Sequence, residues 1–465
     1  MRRSATPIAI ILPFLLTILV AACGSHKSGD GNETVCDWDS IKARGELRVL
    51  TLYSSTSYFF YKGEERGYEY ELIKRFADDN GLSTTVIVAD NITHLTEMLL
   101  NGEGDVIAYE VPVTGDTKKN MIHCGPEVVS YQVLVQSTRN KPLVTNVTDL
   151  VGKEVYVERG SKYEERINNL NEELGGGIHI HCINRDTVVT EDLIEMVSKG
   201  EIPYTLADEN LARLNRTYYP NINIALAVSF PQRSQWAVRS DAPHLAAEID
   251  SWVEANGTSE GYKAISKRYF EQEKRASSRV ILSVEKGRIS KYDGIFKRIA
   301  KETGWDWRML AAIAYHESRF DTSVVSWAGA RGLMQLMPGT AAAFGLSADS
   351  IAFPEPNVRA AAKSLVSVEK SFADIDNEHE KMCFILASYN AGLGHVYDAV
   401  ALAKKYNLQP RVWTGEVENA MLMKANPEYF NDEVCRFGYL RGRQTVSYVR
   451  EVMALYKLYC EKIPE

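Results

Sequence analysis

The stretch AAIAYHESRFD, residues 311–321, ends a nearly apolar helical run on an acid, Glu317. Three, four and seven residues earlier stand Ala314, Ile313 and Leu310, so the carboxyl group falls on the stripe that a helix turns inward. A carboxylate withdrawn from water is costly unless it is paired, bound to a metal or protonated. Three chemistries compete on this basis: a structural ion pair with Arg319 or Arg331, a metal ligand, or a proton donor whose pKa is raised by burial. The metal fails first, because His316-Glu317 needs a second histidine at position 320 to complete HExxH and Phe320 stands there. Neither a metal nor a cofactor is expected.

The elements that must position Glu317 are helix-like. KYDGIFKRIAKETG, WRMLAAIAYHESRF, NVRAAAKSLVSVEKSFAD, KMCFILASYNAG and TVSYVREVMALYKLYC all carry helical periodicity, and they predict a mainly α domain over residues 288–465. Four polar or glycine-rich stretches lie at the ends of these helices or between them: HESRFD, SWAGARGLMQLMP, ASYNAGLGHV and GRQTVSYV. Two other motifs are decoys. GTSEG at 257–261 satisfies GxSxG, but the amphipathic helix HLAAEIDSWVEAN precedes it where a nucleophile elbow needs a strand. LGGGIH at 174–179 precedes a strand instead of opening a helix, and is read as a turn.

In order and spacing the four stretches resemble the soluble lytic transglycosylase family, whose fold is lysozyme-like. That resemblance implies cleavage of the β-1,4 bond between N-acetylmuramic acid and N-acetylglucosamine in peptidoglycan glycan strands. Glu317 is implied as the catalytic acid, and a raised pKa suits that role. Most glycosidases use two carboxylates; here the resemblance implies one, with the C6 hydroxyl of the muramic acid as nucleophile and a 1,6-anhydro ring as product. It also implies substrate-binding positions at Ser326, Gln335, Met337, Tyr389, Asn390 and Tyr448. A lysozyme-type hydrolase and a glycan-binding lipoprotein without cleavage are the alternatives.

Residues 45–270 alternate strand-like runs (ELRVLTLY, TTVIVA, GDVIAYEVPV, GKEVYVERG) with helix-like ones (YEYELIKRFADDNG, HLTEMLLNGEG), which predicts α/β architecture. The region resembles the periplasmic solute-binding fold of the amino-acid-binding type, in the subfamily where that fold precedes a murein-cleaving domain. The resemblance implies a two-lobed domain and a small ligand, with a muropeptide as the candidate. One position departs from it. Amino-acid-binding members carry an arginine that forks onto the ligand carboxylate where TGDTKKN here places Thr117, and a hydroxyl does not replace that fork.

The N-terminus places two arginines before an apolar run and small residues, as in an export signal. The VAAC at its end resembles the lipobox of bacterial lipoproteins, implying lipid attachment at Cys23 with GSHKSGDGNETV as a tether. The expected organisation is a signal peptide over 1–22, lipidated cysteine and tether over 23–40, the solute-binding-like domain over 41–272, a linker over 273–287 and the catalytic domain over 288–465. The chain is then exported and membrane-anchored facing the periplasm, with the outer membrane as the expected site. With a formal charge of −8 over 465 residues and no basic stripe, nucleic acid is excluded as a partner. Six cysteines remain after Cys23, and export permits disulfides among them.

Overall fold

The computed structural model describes residues 37–183, 188–271 and 287–463. The signal peptide, Cys23, Cys36 and all but the last residue of the expected linker lie outside the described residues.

The front domain has two lobes, each built on a five-stranded sheet. In the first, Ser83–Ala89, Glu46–Leu52, Val106–Pro112, Gln232–Arg239 and Met121–Ser130 lie side by side in that order. In the second the order is Ile222–Ala227, Gln132–Ser137, Tyr204–Asp208, Glu154–Glu158 and His179–Ile183. The chain crosses between lobes twice, after Ser130 and after Ala227. Helix Tyr68–Asp79 covers the first sheet because Leu72, Ile73 and Phe76 fall on one face, and all three are fully buried. The same helix buries Glu69, whose carboxylate accepts a 2.5 Å hydrogen bond from Trp236 Nε1. Burial above all, then the nearby Glu110 charge, pushes this carboxyl up to about 8. The expected tether ends sooner than residue 40, because Asp37 accepts from the backbone of both Trp38 (2.8 Å) and Leu245 (2.8 Å). It thereby caps helices Trp38–Arg44 and Pro243–Asn256 together.

Between the strands of the first lobe a two-stranded hairpin projects from the sheet: Phe59–Tyr61 pairs with Glu64–Arg66. Its turn is Lys62-Gly63, both at positive φ (49° and 80°), as a two-residue hairpin turn following the strand twist requires. At its base Gly67 has φ 146° and donates its N–H to the Tyr269 hydroxyl at 2.8 Å. A Cβ at Gly67 would lie 1.9 Å from the Ser57 carbonyl oxygen.

The rear domain is helical, with Trp307–Ser318 at its centre. This helix does not carry the one-sided stripe expected of it: Met309 to Ala314 are all at most 1% exposed, so neighbours enclose it on every side. Asp306 starts it by accepting from Arg308 N (2.8 Å), and it ends in two left-handed residues, Arg319 and Phe320. The decoy readings hold. Ser259 of GTSEG caps helix Glu260–Phe270, and the three glycines of LGGGIH turn the chain at positive φ. Cys124, Cys182, Cys383, Cys435 and Cys460 are free thiols, so no disulfide forms among the described residues.

Candidate active site

Glu317 sits at the last turn of the enclosed helix with its side chain 10% exposed. It is ion-paired, but not with either arginine of its own domain that the sequence offers; Arg319 stacks on the Tyr315 ring instead, 4.2 Å from its centre. The partner is Lys62 at the hairpin tip of the front domain. Its Nζ lies 3.2 and 3.3 Å from the two carboxylate oxygens and 3.4 Å from the Gln335 carbonyl oxygen. The ammonium also stands over the Tyr389 ring at 5.3 Å and is 7% exposed.

The other residues singled out from sequence gather around the same point, with one exception. Tyr448, buried on helix Gly442–Lys462, sets its ring edge-on to His316 at 4.6 Å. Tyr389 donates its hydroxyl to the Met334 carbonyl at 2.6 Å. Desolvation first, and then the charge of Glu317, holds both phenols well above their ordinary pKa. Gln335 is held at φ 46° while its amide nitrogen donates to the carbonyls of Val324 and Gly332, each at 3.0 Å. Asn390 accepts from Thr445 Oγ1 at 2.9 Å, and Ser326 Oγ accepts from Ala330 N at 2.9 Å. Glu317, Ser326, Gln335, Asn390 and Tyr448 line one cavity of about 780 Å³. Tyr389 is not among the lining residues, although its ring lies beneath Lys62, and Met337 is further removed: it caps the short helix Pro338–Ala343, and its side chain packs into the apolar core of the front domain. The second catalytic-domain carboxylate in the cavity wall, Glu451, lies 3.0 Å from His316 Nε2.

The front domain holds this site at two places. Around the hairpin, Phe59, Tyr61 and Tyr269 enclose Trp327 at ring separations of 6.0, 5.1 and 5.6 Å. His395 donates through Nε2 to the Phe60 carbonyl at 3.2 Å, and Arg66 donates to the Ala328 carbonyl at 2.9 Å. From the second lobe, Asp192 pairs with Arg443 at 3.0 Å, while Glu191 accepts from Tyr439 and lies 3.7 Å from Arg441 Nε. Sequence reasoning missed Tyr61, Lys62, Trp327, Arg441 and Arg443. The hairpin had a local signal in FFYKGEER, an aromatic strand followed by a lysine-glycine turn, but nothing local states where its tip is inserted.

Residues 47–272 match the family described as bacterial extracellular solute-binding proteins, family 3, and residues 294–411 match the transglycosylase SLT domain. Along most of its length the chain is similar to proteins named membrane-bound lytic murein transglycosylase F. The relative from Pseudomonas fluorescens Pf-5 is 33% identical over 90% of this chain and 86% of its own; that from Desulfosudis oleivorans is 32% identical over 91% of each. The chain belongs to the membrane-bound lytic murein transglycosylase F family. Solved structures similar to its front half include truncated arginine-bound ArgBP from T. maritima (23% identity, TM-score 0.36, 47% of this chain and 99% of that one). Another is the L-cystine solute receptor of Neisseria gonorrhoeae (18%, TM-score 0.41, 50% and 96%). In this member of the transglycosylase F family, the SLT match contains Glu317, Ser326, Gln335, Tyr389 and Asn390 and stops before Tyr448. The solute-binding match contains the Lys62 hairpin. Among the described residues no helix is long and apolar enough to cross a membrane, and no cluster of side chains is suited to a metal ion.

Proposed function

We propose that the chain is a peptidoglycan lytic transglycosylase in which Glu317 is the sole acid and base. The observation that carries this reading is one buried carboxylate at the wall of a groove-sized cavity, flanked by two protonated tyrosines, with the other catalytic-domain carboxylate engaged by histidine. Glu317 in its acid form gives a proton to the glycosidic oxygen as the bond to C1 of N-acetylmuramic acid breaks. The 2-acetamido group supports the cation. The C6 hydroxyl then attacks C1, returns its proton to Glu317 and closes the 1,6-anhydro ring, so no water is consumed. Ser326, Gln335, Asn390 and the two tyrosines hold the sugars. Mass spectrometry of murein digested by the purified protein tests this: anhydro ends are expected, and reducing ends one water heavier would mark a hydrolase.

The front domain regulates this activity. Lys62 ties up the proton donor while the second lobe grips Arg441 and Arg443, so a ligand that moves one lobe against the other must weaken one of the two holds. With Thr117 in place of the carboxylate-clamping arginine, the ligand is not a free amino acid; muropeptides are the candidates. Calorimetry of the full chain with purified muropeptides tests this, and absence of binding for all of them removes the regulator. The relatives are named membrane-bound, and we assign the anchor to a lipid on Cys23, in the outer membrane. Cys23→Ser is expected to abolish labelling by fatty acid in cells, and persistent labelling refutes the anchor.

A further inference from the structure

The cavity that holds Glu317 is also lined by three arginines of the catalytic domain: Arg319, which stacks on Tyr315 of its own domain, and Arg441 and Arg443, which do not stay within it. Their surroundings have a one-sided origin. Arg443 Nε pairs with Asp192 at 3.0 Å, while Arg441 lies 3.7 Å from Glu191, donates to Asn215 Oδ1 at 2.6 Å and stacks over Tyr218 at 4.6 Å. Every hydrogen-bond and ion-pair partner of these two guanidinium groups among the described residues belongs to the front domain. Arg441 Nη1 is buried with no partner at all among them. The catalytic domain has therefore built a forked cationic pair that its own side chains do not neutralise, in a chain whose formal charge is −8.

We infer that Arg441 and Arg443 form a carboxylate-binding site for the peptide stem of murein, and that Glu191 and Asp192 fill it as stand-ins while the front domain is docked. The inference rests on the transglycosylase reading given above. Guanidinium forks are matched to carboxylates in shape as well as charge. Each stem hangs from the lactyl group of a muramic acid, the sugar that Glu317 must address, and carries free carboxylates along its length. Arg443 precedes Tyr448 by five residues on one helix, about 7.5 Å along its axis, which two or three extended stem residues span at about 3.3 Å each. The competing account makes the two arginines a latch for the front domain and nothing more.

Two substrates separate these accounts on the full mature chain: sacculi with stems intact, and glycan strands stripped of stems by an amidase. The reference is Asp192→Ala, which removes the carboxylate paired with Arg443 and leaves Glu191 beside Arg441. Adding Arg443→Ala to it is expected to lower kcat/KM on stem-bearing substrate about ten-fold relative to stripped strands. Arg443→Lys, which keeps the charge and loses the fork, is expected to fall between. A ratio of the two substrates that stays unchanged, whether both rates rise, fall or hold, overturns the inference and leaves a latch. If the reference protein yields anhydro ends from neither substrate, it is the transglycosylase reading itself that has failed.

Discussion

Removing the carboxyl of Glu317 is expected to have two separable effects, because the group is the partner of a buried ammonium and, in the proposed mechanism, also the proton donor. Glu317→Gln is expected to lower turnover on sacculi by about 10⁴-fold or more, since general acid–base catalysis is worth about 10²–10⁴ and one residue serves both steps. The same change strands Lys62, 7% exposed, and breaking one side of such a pair costs about 3–5 kcal/mol. The double variant Glu317→Gln, Lys62→Met is therefore expected to regain most of the melting temperature while staying inactive. An active double variant, or one inactive only because it has unfolded, sinks the assignment. Lys62→Ala alone leaves the donor intact and removes its lock. Its basal turnover is expected to rise about ten-fold or more, corresponding to about 1.4 kcal/mol withdrawn from the closed state; unchanged turnover would show that the ion pair does not limit the enzyme.

The hairpin is the element that brings Lys62 to Glu317, and it depends on a backbone position only glycine fills. With a Cβ 1.9 Å from the Ser57 oxygen and φ 146°, Gly67→Ala is expected to cost about 1–3 kcal/mol and to lower the melting temperature by a few degrees. It is also expected to raise basal turnover like Lys62→Ala, because the hairpin loses its seat. A variant that melts early but cuts no faster separates the hairpin from control. Much at this scale was legible beforehand: the helix ending at Glu317 and the α/β front half follow from local periodicity, and Ser326, Gln335, Asn390 and Tyr448 came only from the resemblance of four short stretches to a known family. The partner of Glu317 was not. Lys62 lies 255 residues away, and the fit of two folded surfaces leaves no period in either segment. Met337 was misplaced for the same reason, because the apolar surface that takes it up belongs to the other domain.

Across the whole molecule, the buried acid of the first lobe sets a pH dependence distinct from catalysis. With its carboxyl pushed up to about 8, folded Glu69 keeps a proton that the unfolded chain gives up near its ordinary value of about 4.3. Between those values the native state holds more protons, so stability falls as pH rises, by at most about 1.4 kcal/mol per unit, and is level below the window and above it. Glu69→Gln is expected to reduce the fall between pH 5 and pH 8 in melts of the two proteins, the raised carboxyl of Glu110 beside it keeping the remainder, and an identical fall in both would assign it elsewhere. The seating of Trp327, Ala328, Ala330 and Met337 in the front-domain core bears on how the enzyme is made. Chains emerge N-terminus first, from ribosome or membrane, and domains fold as units in that order, so the aromatic seat forms ahead of the segment 326–337 that it receives. The loop carrying Gln335 then folds onto a surface already waiting for it, with Lys62 in place before Glu317 arrives. A newborn copy is thus restrained from the moment it folds, and a catalytic half synthesised alone would begin life with a greasy flank and a slack loop.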